Sequence, residues 1–440
     1  MIELKPQPHD VVVALDIGTT KVCCLAGRRD AHGKLEIIGA GKVESTGVLR
    51  GVVSNIEKTV NAIRSAVDIC ERQAGMKFHT VYVGIAGQHI KSLQHRGILT
   101  RENDHTEIAQ RDIDRLVNDM FKLVLPPGDK IIHVFPQEFT VDNEQGISDP
   151  IGMCGVRLEA NFHIITGQIT AINNLYRCIE KAGLKVADLT LEPIASAEAV
   201  LYEEERQAGV ALVDIGGGTT DITIFHDNII RHTAVIPLGG NVVTADIKEG
   251  CTVLPQQAEK LKVRFGSALA SEVYDNRIIT IPGLRGRDHK EISEKNLALI
   301  IQARMEEIFD YVLWEIRRSG YERKLIGGIV LTGGGALLNH VDRLAELHTG
   351  MSSRIGLPVE HLAHGYRESV NSPIFSTSIG LLIKGLDDSR RQEKAIDARN
   401  HAENKEPSNV AEEKPATWLD SVLRKTKEWF EAEPDVDFKK

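Results

Sequence analysis

Two stretches of this chain, about 200 residues apart, carry one pattern: an apolar strand, Asp-Ile-Gly, a Gly/Thr turn and a second strand. The first is VVVALDIGTTKVCCL at 11–25, and the second is GVALVDIGGGTTDITIF at 209–225. The strands that follow, at 34–43 and 229–238, also correspond. This distance is far longer than the repeat period of a solenoid, which is about 20–50 residues. The repeat therefore predicts two related lobes, each built around a strand–turn–strand unit.

The body of the chain, residues 10–386, alternates short Val/Ile-rich runs with helical patterns. This alternation predicts an α/β fold. In the first lobe, apolar side chains recur at helical spacing at Ile56, Val60, Ile63 and Val67. The elements predicted for the start of this lobe are strands at 11–16, 21–27, 34–43 and 80–87 and a helix at 55–75.

The charge and cysteine content exclude several classes of function. The chain has 53 Lys and Arg residues against 62 Asp and Glu residues, a formal charge of −9. A general nucleic-acid binder needs a basic face that neutralises phosphates, so no nucleic-acid partner is expected. The six cysteines have neither Cys-x-x-Cys nor zinc-ligand spacing, which is typical of reduced thiols in a cytosol. No signal peptide or spanning helix is predicted, so we expect any membrane contact to be made from the surface.

The two repeated turns are candidate phosphate-binding sites. A strand that ends in Asp and runs into a Gly/Thr turn exposes backbone amides, which bind phosphate oxygens. Asp16 and Asp214 would hold Mg²⁺ through its water shell, because Mg²⁺ prefers few carboxylates plus waters and phosphates. The alternative is a plain hairpin turn in which glycine supplies a positive φ. The candidate phosphate-binding residues are Gly18, Thr19, Thr20, Lys21, Gly216, Gly217, Gly218, Thr219 and Thr220.

A third glycine-rich segment follows the predicted buried strand at 329–332. Gly333, Gly334, Gly335 and Ala336 lead into the helical pattern ALLNHVDRLAEL, so a helix N-terminus there would face an anion or a ribose. The alternative is a tight strand–helix connection in which glycine permits close packing. No GxxxxGK[ST] loop and no GxGxxG in a βαβ context occurs, which disfavours P-loop and dinucleotide-binding folds.

These three motifs, in this order, resemble the superfamily of actin, sugar kinases and heat-shock chaperone ATPases. The resemblance implies ATP and Mg²⁺ as cofactors and two connecting segments, at 191–201 and 376–386. It implies that Glu259 and Lys262, in QQAEKLKVRFGSA, contact the nucleotide. Glu192 falls where the chaperone ATPases keep an acidic residue near the attacking water. The other interpretation of Glu192 is a helix-start carboxylate beside Pro193, favoured by the helix dipole.

Two further segments, GIAGQHIKSLQHRGIL at 84–99 and HVFPQEFTVDNEQGISDPIGMCGVRLEANFHII at 133–165, resemble the bacterial cell-division FtsA family. The resemblance implies an actin-like two-lobed ATPase fold with a small inserted subdomain, then a disordered linker and an amphipathic helix. The implied divisions are a first-lobe core at 10–83 and 164–192, an insert at 84–163, a second-lobe core at 193–242 and 329–386, an outer subdomain at 243–328, a linker at 387–416 and a helix at 417–431.

The end of the chain predicts a membrane anchor. Residues 387–416 are rich in charge and poor in large apolar side chains, which favours a flexible linker. The segment 417–431 then separates an apolar face from a charged one, as interfacial helices do. The alternative is a helix that docks on the body or on a partner. Equal numbers of acidic and basic residues make its attraction to anionic lipid weak. The apolar face comprises Trp418, Leu419, Val422, Leu423, Trp429 and Phe430.

The family resemblance implies a cell-division scaffold on the cytoplasmic face of the inner membrane, at the division septum. Such a scaffold polymerises, tethers the tubulin-like protein FtsZ and recruits later division proteins to an anionic phospholipid surface. ATP would act mainly as an assembly switch, with at most slow hydrolysis. The alternatives are a small-metabolite kinase, a chaperone ATPase and a pilus-type actin relative. The kinase would need a positioned general base, for which the sequence has no clear candidate.

Overall fold

The computed structural model describes residues 10–101, 106–283, 288–363 and 370–403, and side chains as far as residue 391. The strands are β1 Val12–Ile17, β2 Lys21–Arg29, β3 Leu35–Glu44, β4 Val48–Leu49, β5 Val52–Val53, β6 Thr80–Ile85, β7 Ile90–Thr100, β8 Asp129–Val141, β9 Glu144–Ile147, β10 Arg157–Gln168, β11 Lys185–Leu191, β12 Val210–Ile215, β13 Thr220–His226, β14 Ile229–Ile236, β15 Ile278–Ile281, β16 Lys290–Ser293, β17 Ile329–Thr332 and β18 Ser353–Ile355. The α-helices are α1 Ile56–Ala74, α2 Gln110–Met120, α3 Ile169–Lys181, α4 Glu192–Val200, α5 Glu203–Ala208, α6 Gly240–Gly250, α7 Pro255–Phe265, α8 Glu294–Ser319, α9 Val341–Thr349 and α10 Ser376–Glu403.

Two five-stranded sheets share one topology, which confirms the internal repeat. The first has the order β11-β6-β1-β2-β3. The second has the corresponding order β18-β17-β12-β13-β14. In each sheet the motif strand pairs antiparallel with the next strand and parallel with a later one, as β1 does with β2 and β6. β12 pairs in the same way with β13 and β17. Each lobe therefore presents its Asp-Ile-Gly turn at the C-terminal end of the central strand of an equivalent sheet.

Burial and capping explain why the predicted elements form. β1 and β12 are central strands, and their apolar runs are almost completely buried, as expected where a sheet is covered on both faces. Helix α1 begins at Asn55, whose side chain accepts a hydrogen bond from the Lys58 amide. It ends at Gly75, which has φ = 69° and bonds the Glu71 carbonyl. The strands and helix predicted for the first lobe thus agree with β1, β2, β3, α1 and β6 to within a few residues.

Contacts divide the chain into two compact units. Among the described residues, one unit comprises 10–89 and 174–389 and contains both five-stranded sheets, and the other comprises 90–173 and 390–403. The second unit has a four-stranded sheet of order β7-β10-β8-β9. Side chains of α2 complete its separate core with those of the sheet, among them Leu116, Phe139 and Phe162. The predicted insert boundaries, after residues 83 and 163, fall inside β6 and β10, because each of these strands continues past them.

Two helices differ from their predicted extents. The glycine-rich segment after β17 does not enter a helix directly: a 3₁₀ turn covers Gly334–Leu337, and α9 begins only at Val341. Helix α10 does not stop near Leu386 but continues to Glu403, into the segment predicted as a linker. That stretch lacks Gly and Pro up to Glu403, so its residues are compatible with helix. Among the helices that the structure describes, none is long and apolar enough to cross a bilayer.

Candidate functional site

A cavity of about 420 Å³ lies where the three predicted motifs meet. It is lined by the two Asp-Ile-Gly turns, the start of the third glycine-rich segment and the first residue of α4. The three motifs and the start of α4 all lie within the unit that holds both large sheets. The predicted site residues that line it are Asp16, Gly18, Thr19, Thr20, Lys21, Glu192, Asp214, Gly216, Gly217, Gly218, Thr219, Gly333 and Gly334.

The two turns have the same internal hydrogen bond. The Gly18 amide donates to the Lys21 carbonyl at 2.9 Å, and the Gly216 amide donates to the Thr219 carbonyl at 2.9 Å. Within the described part of the chain, the amides at the centre of the turns donate no hydrogen bond to the protein: those of Thr19, Thr20, Gly217 and Gly218. Because these amides border one cavity, both turns present donors suited to phosphate oxygens.

Two of the turn glycines, Gly217 and Gly218, are required by close contact and not by a positive φ. None of Gly18, Gly216, Gly217 and Gly218 has the positive φ that the plain-hairpin alternative invoked. A Cβ atom on Gly217 would lie 2.3 Å from Cγ2 of Thr20, and one on Gly218 would lie 2.7 Å from Oγ1 of Thr19. The glycines therefore let the second turn approach the first, and the neighbour that requires them is the other turn.

The third segment packs against the end of β12. Gly333 has φ = 81°, and a Cβ atom there would lie 2.2 Å from Oδ1 of Asp214. A Cβ atom on Gly335 would lie 2.3 Å from Cγ2 of Ile215. A Cβ atom on Gly334, by contrast, would meet nothing within 4 Å, and this residue faces the cavity. The segment thus combines the tight connection expected on packing grounds with one residue that is open to a ligand.

Besides Glu44, four carboxyl groups line the cavity: Asp16, Glu192, Asp214 and Asp221. Burial raises the pKa of Asp214 to about 6, although a hydrogen bond from the Ser196 hydroxyl at 2.9 Å opposes the shift. Burial and the charge of Asp214 raise the pKa of Asp221 to about 8. Burial and the charges of the other three carboxylates raise the pKa of Glu192 well above its usual range. Such a cluster favours a bound cation, or protons in its place.

Lys21 compensates one of these charges. Its Nζ donates to Oδ2 of Asp16 at 2.7 Å and also to the carbonyl oxygen of Ile374. Burial lowers the pKa of Lys21, but Asp16 and its other anionic neighbours outweigh burial and raise the pKa above its usual range. The Lys21 ammonium is therefore charged, and it links the first turn to the segment that precedes α10.

Five predicted residues do not line the cavity. Thr220 is buried, and its hydroxyl donates to the Leu238 carbonyl at 2.9 Å. Gly335 and Ala336 belong to the third glycine-rich segment but are not among the residues that line the cavity. Lys262 bonds Glu259 at 2.7 Å, and it also donates to the Gly240 carbonyl at 2.9 Å. The Gly240 amide in turn donates to the Gly216 carbonyl at 2.9 Å. The pair on α7 thus supports the second turn through α6.

The structure adds residues that the sequence motifs did not single out. Asp221 was not predicted as a site residue, although its place directly after the second turn was a signal that could have identified it. Thr377 lies at the start of the second predicted connecting segment, and its hydroxyl is 3.0 Å from that of Ser196 on α4. The residues on β3 gave no signal, because their place at the cavity depends on the sheet. The added lining residues are Ile17, Lys42, Val43, Glu44, Gly51, Ala86, Asp221, Pro373, Ile374 and Thr377.

No group of three or more His, Cys, Asp or Glu side chains in the described ranges is arranged to hold a metal ion directly. Asp16 and Asp214 nevertheless border the cavity beside the turn amides, and this donor set suits a hydrated Mg²⁺ better than a bare ion.

The predicted membrane-facing residues lie outside the described residues: Trp418, Leu419, Val422, Leu423, Trp429 and Phe430.

Comparisons with known proteins agree with this architecture. The family model "Cell division protein FtsA" matches residues 211–380, and the model "SHS2 domain inserted in FTSA" matches residues 87–166. The cell division protein FtsA of Pseudomonas aeruginosa is 42% identical over 380 residues, which cover 86% of this chain and 90% of that protein. Among solved structures, the PilM–PilN type IV pilus biogenesis complex has a TM-score of 0.63 at 14% identity over 86% of this chain and 99% of that chain.

A second structural neighbour is MreB5 of Spiroplasma citri, solved with ADP. Its TM-score is 0.51 at 16% identity, over 90% of this chain and 100% of that chain. Likenesses at such identities establish a mixed α/β actin-like fold alone. The identity with a curated relative over most of both chains establishes more: this chain belongs to the FtsA family of cell-division proteins.

Proposed function

We propose that this chain is an ATP- and Mg²⁺-binding scaffold of the division machinery. It polymerises on the cytoplasmic face of the inner membrane at the septum, tethers FtsZ and recruits later division proteins. The observation that carries the nucleotide part is the pair of equivalent turns whose unpartnered amides border one cavity. The ADP in the related MreB5 structure supports the same assignment.

Each residue around the cavity has a defined task in this proposal. Each lobe contributes the central amides of its turn, and these amides bind the phosphate oxygens. Lys21 adds a positive charge at the first turn. Asp16 and Asp214 orient the waters of Mg²⁺, and the ion neutralises phosphate charge when it is bound. Because the ligand contacts both turns, its binding stabilises the arrangement in which the turns face each other. ATP thereby acts as an assembly switch.

The state of Glu192 supports slow hydrolysis at most. It is the first residue of α4, so it stands at a helix N-terminus and at the cavity, as both of its interpretations required. Burial and the neighbouring carboxylates raise its pKa well above its usual range, which disfavours the ionised form that a general base needs. A protonated carboxyl cannot accept a proton from an attacking water, and a general base needs a pKa near the working pH.

Membrane attachment is proposed through the segment 417–431. A near-neutral helix of this size binds lipid weakly by itself. Polymers carry many such anchors, and multivalency raises their combined affinity without new contacts. Assembly and membrane attachment are thereby linked. A chain that binds ATP would accumulate at the bilayer by polymerising there.

Liposome co-sedimentation tests the proposal. The full chain is compared with a chain that ends at Glu403, which keeps α10 intact, on vesicles of phosphatidylethanolamine and phosphatidylglycerol with and without Mg-ATP. We expect the full chain to sediment with lipid, more strongly with Mg-ATP, and to carry added FtsZ with it. The shortened chain should stay in solution but retain Mg-ATP binding.

The matched control replaces Trp418 and Trp429 by alanine in the full chain, which removes the apolar anchors and keeps the length and charge. Lipid binding by the shortened chain or by this variant at the level of the full chain would contradict the tail anchor. Failure to bind Mg-ATP in any form would contradict the nucleotide-dependent scaffold. Rapid ATP turnover with an added metabolite would favour the kinase alternative.

A further inference from the structure

Lys42 lines the cavity although no sequence motif contains it. It lies on β3, the third strand of the first sheet, and its side chain is exposed. Its Nζ lies 5.7 Å from the centroid of the Phe375 ring, and the Nζ of Lys21 lies 6.0 Å from the same centroid. Phe375 itself is buried. The ammonium groups of two cavity-lining lysines therefore lie near the same buried aromatic ring.

The two lysines differ in how their charges are compensated. Lys21 is paired with Asp16 at 2.7 Å and also bonds the Ile374 carbonyl. The Lys42 ammonium makes no hydrogen bond and no ion pair with the part of the chain that the structure describes, and the Phe375 ring is its one partner there. In the sheet register, Lys21 stands opposite Glu44, and Lys42 stands opposite the neutral Cys23. An uncompensated cation thus faces the cavity beside a paired one.

We propose that Lys42 is an additional phosphate-binding residue of the nucleotide site, held over the Phe375 ring until an anion occupies the cavity. This inference rests on the proposed function, because it needs a nucleotide in that cavity. An aromatic face stabilises a nearby ammonium only weakly at an exposed site. A phosphate oxygen is a stronger partner for the same ammonium, since both groups are charged. The lysine would therefore exchange the ring for the phosphate on binding.

The test measures binding of Mg-ATP, Mg-ADP and adenosine to the full chain by calorimetry or competition. The substitution Lys42→Ala should weaken both phosphorylated ligands about two- to fivefold, as expected for the loss of one exposed ion pair. Adenosine affinity should not change, because adenosine has no phosphate. Affinity for Mg-ATP should also fall less steeply with added salt in this variant than in the parent chain.

Two matched variants separate charge from structure. Lys42→Arg keeps the cation and should retain most of the affinity for Mg-ATP. Glu44→Gln removes a carboxylate that lines the same cavity on the same strand, so it should strengthen Mg-ATP binding. These opposite signs are expected only if electrostatics at the cavity set the affinity.

Each outcome bears on one proposal. If the parent chain binds Mg-ATP and Lys42→Ala binds it equally well, the role of Lys42 is overturned and the proposed function stands. If Lys42→Ala weakens adenosine by the same factor as Mg-ATP, its effect is structural, and the inference is again overturned. If the parent chain does not bind Mg-ATP, the nucleotide proposal itself fails.

Discussion

Asp221 occupies the position in the second hairpin that Cys23 occupies in the first. Asp16 stands opposite Cys23 across β1 and β2, and Asp214 stands opposite Asp221 across β12 and β13. The second lobe therefore places two carboxyl groups face to face where the first places a carboxyl and a thiol. Oδ2 of Asp221 accepts from the Thr219 hydroxyl at 3.1 Å, whereas Oδ1 has no hydrogen-bond partner among the described residues. The asymmetry concentrates carboxyl groups on one side of the cavity.

The raised pKa of Asp221 predicts a pH-dependent stability. The folded chain holds this proton up to about pH 8, whereas the unfolded chain loses it near the ordinary carboxyl value. The folded state therefore binds more protons, and stability falls as the pH rises from about 4 to 8. Asp221→Asn cannot ionise, so the variant should be more stable than the parent at pH 8 by a few kcal/mol, and closer to it at pH 5.

Thermal unfolding without nucleotide, at pH 5 and pH 8, measures this effect. Asp68→Asn is a suitable control, because Asp68 is an exposed carboxyl on α1 outside the cavity. A parent chain and an Asp221→Asn variant whose unfolding temperatures change in parallel between the two pH values would show that Asp221 is ionised in the folded state.

At the scale of elements, helices α4 and α10 connect the cavity to both sheets. The Ser196 hydroxyl on α4 bonds Asp214 and lies 3.0 Å from the Thr377 hydroxyl on α10. The helices touch most closely at Gly380, where a Cβ atom would lie 1.7 Å from the Ala195 carbonyl oxygen. A backbone oxygen cannot move aside as the end of a side chain can. The absence of a side chain at Gly380 is therefore a condition for this helix contact.

Gly380→Ala should separate α4 from α10 and destabilise the chain. Overpacking of this kind costs about 1–3 kcal/mol or more, and the added methyl here would meet main chain. Because Ser196 and Thr377 flank the contact, Mg-ATP affinity should fall as well. Denaturant unfolding and nucleotide titration measure the two effects.

The control for this change is Gly334→Ala, since nothing lies within 4 Å of a methyl group at that position. It should leave the stability almost unchanged. Equal unfolding midpoints for Gly380→Ala and the parent chain would show that α4 and α10 can move apart without cost.

At the scale of the whole molecule, the chain contains cores that do not share residues. One joins β12–β14 and β17 with α6–α9 and includes Ile215, which lies at the base of the second turn. Another belongs to the inserted unit and is built from its sheet and α2. All residues that line the cavity belong to the unit that contains the two large sheets. Nucleotide binding should therefore depend on the first core and not on the second.

Two large-to-small substitutions test this separation. Phe309 and Phe162 are both fully buried, the first in the core of the second lobe and the second in the core of the insert. Each change to alanine should cost about 3–5 kcal/mol in its own unit. Phe309→Ala should weaken Mg-ATP binding, whereas Phe162→Ala should leave it within about twofold of the parent. Similar losses of nucleotide affinity in both variants would show that the two units are energetically coupled.

Local pattern determined much of this protein. The duplicated Asp-Ile-Gly motif predicted two equivalent lobes, because a buried central strand and its turn are specified by residues adjacent in sequence. The strands β1, β2, β3 and β6 and the helix α1 followed from apolar period and capping residues. Asp16, Asp214 and the turn glycines were predicted as site residues on the same local evidence, and all of them line the cavity.

Tertiary structure decided the rest. Lys42 and Ile374 reach the cavity because β3 pairs with β2 and because the chain returns to that sheet before α10, and neither fact has a signature in neighbouring residues. The reason for the glycines at 217 and 218 also appears only when the two turns are in contact. Residues near in sequence specify period, caps and turns, whereas contacts between distant segments depend on how whole sheets and helices pack.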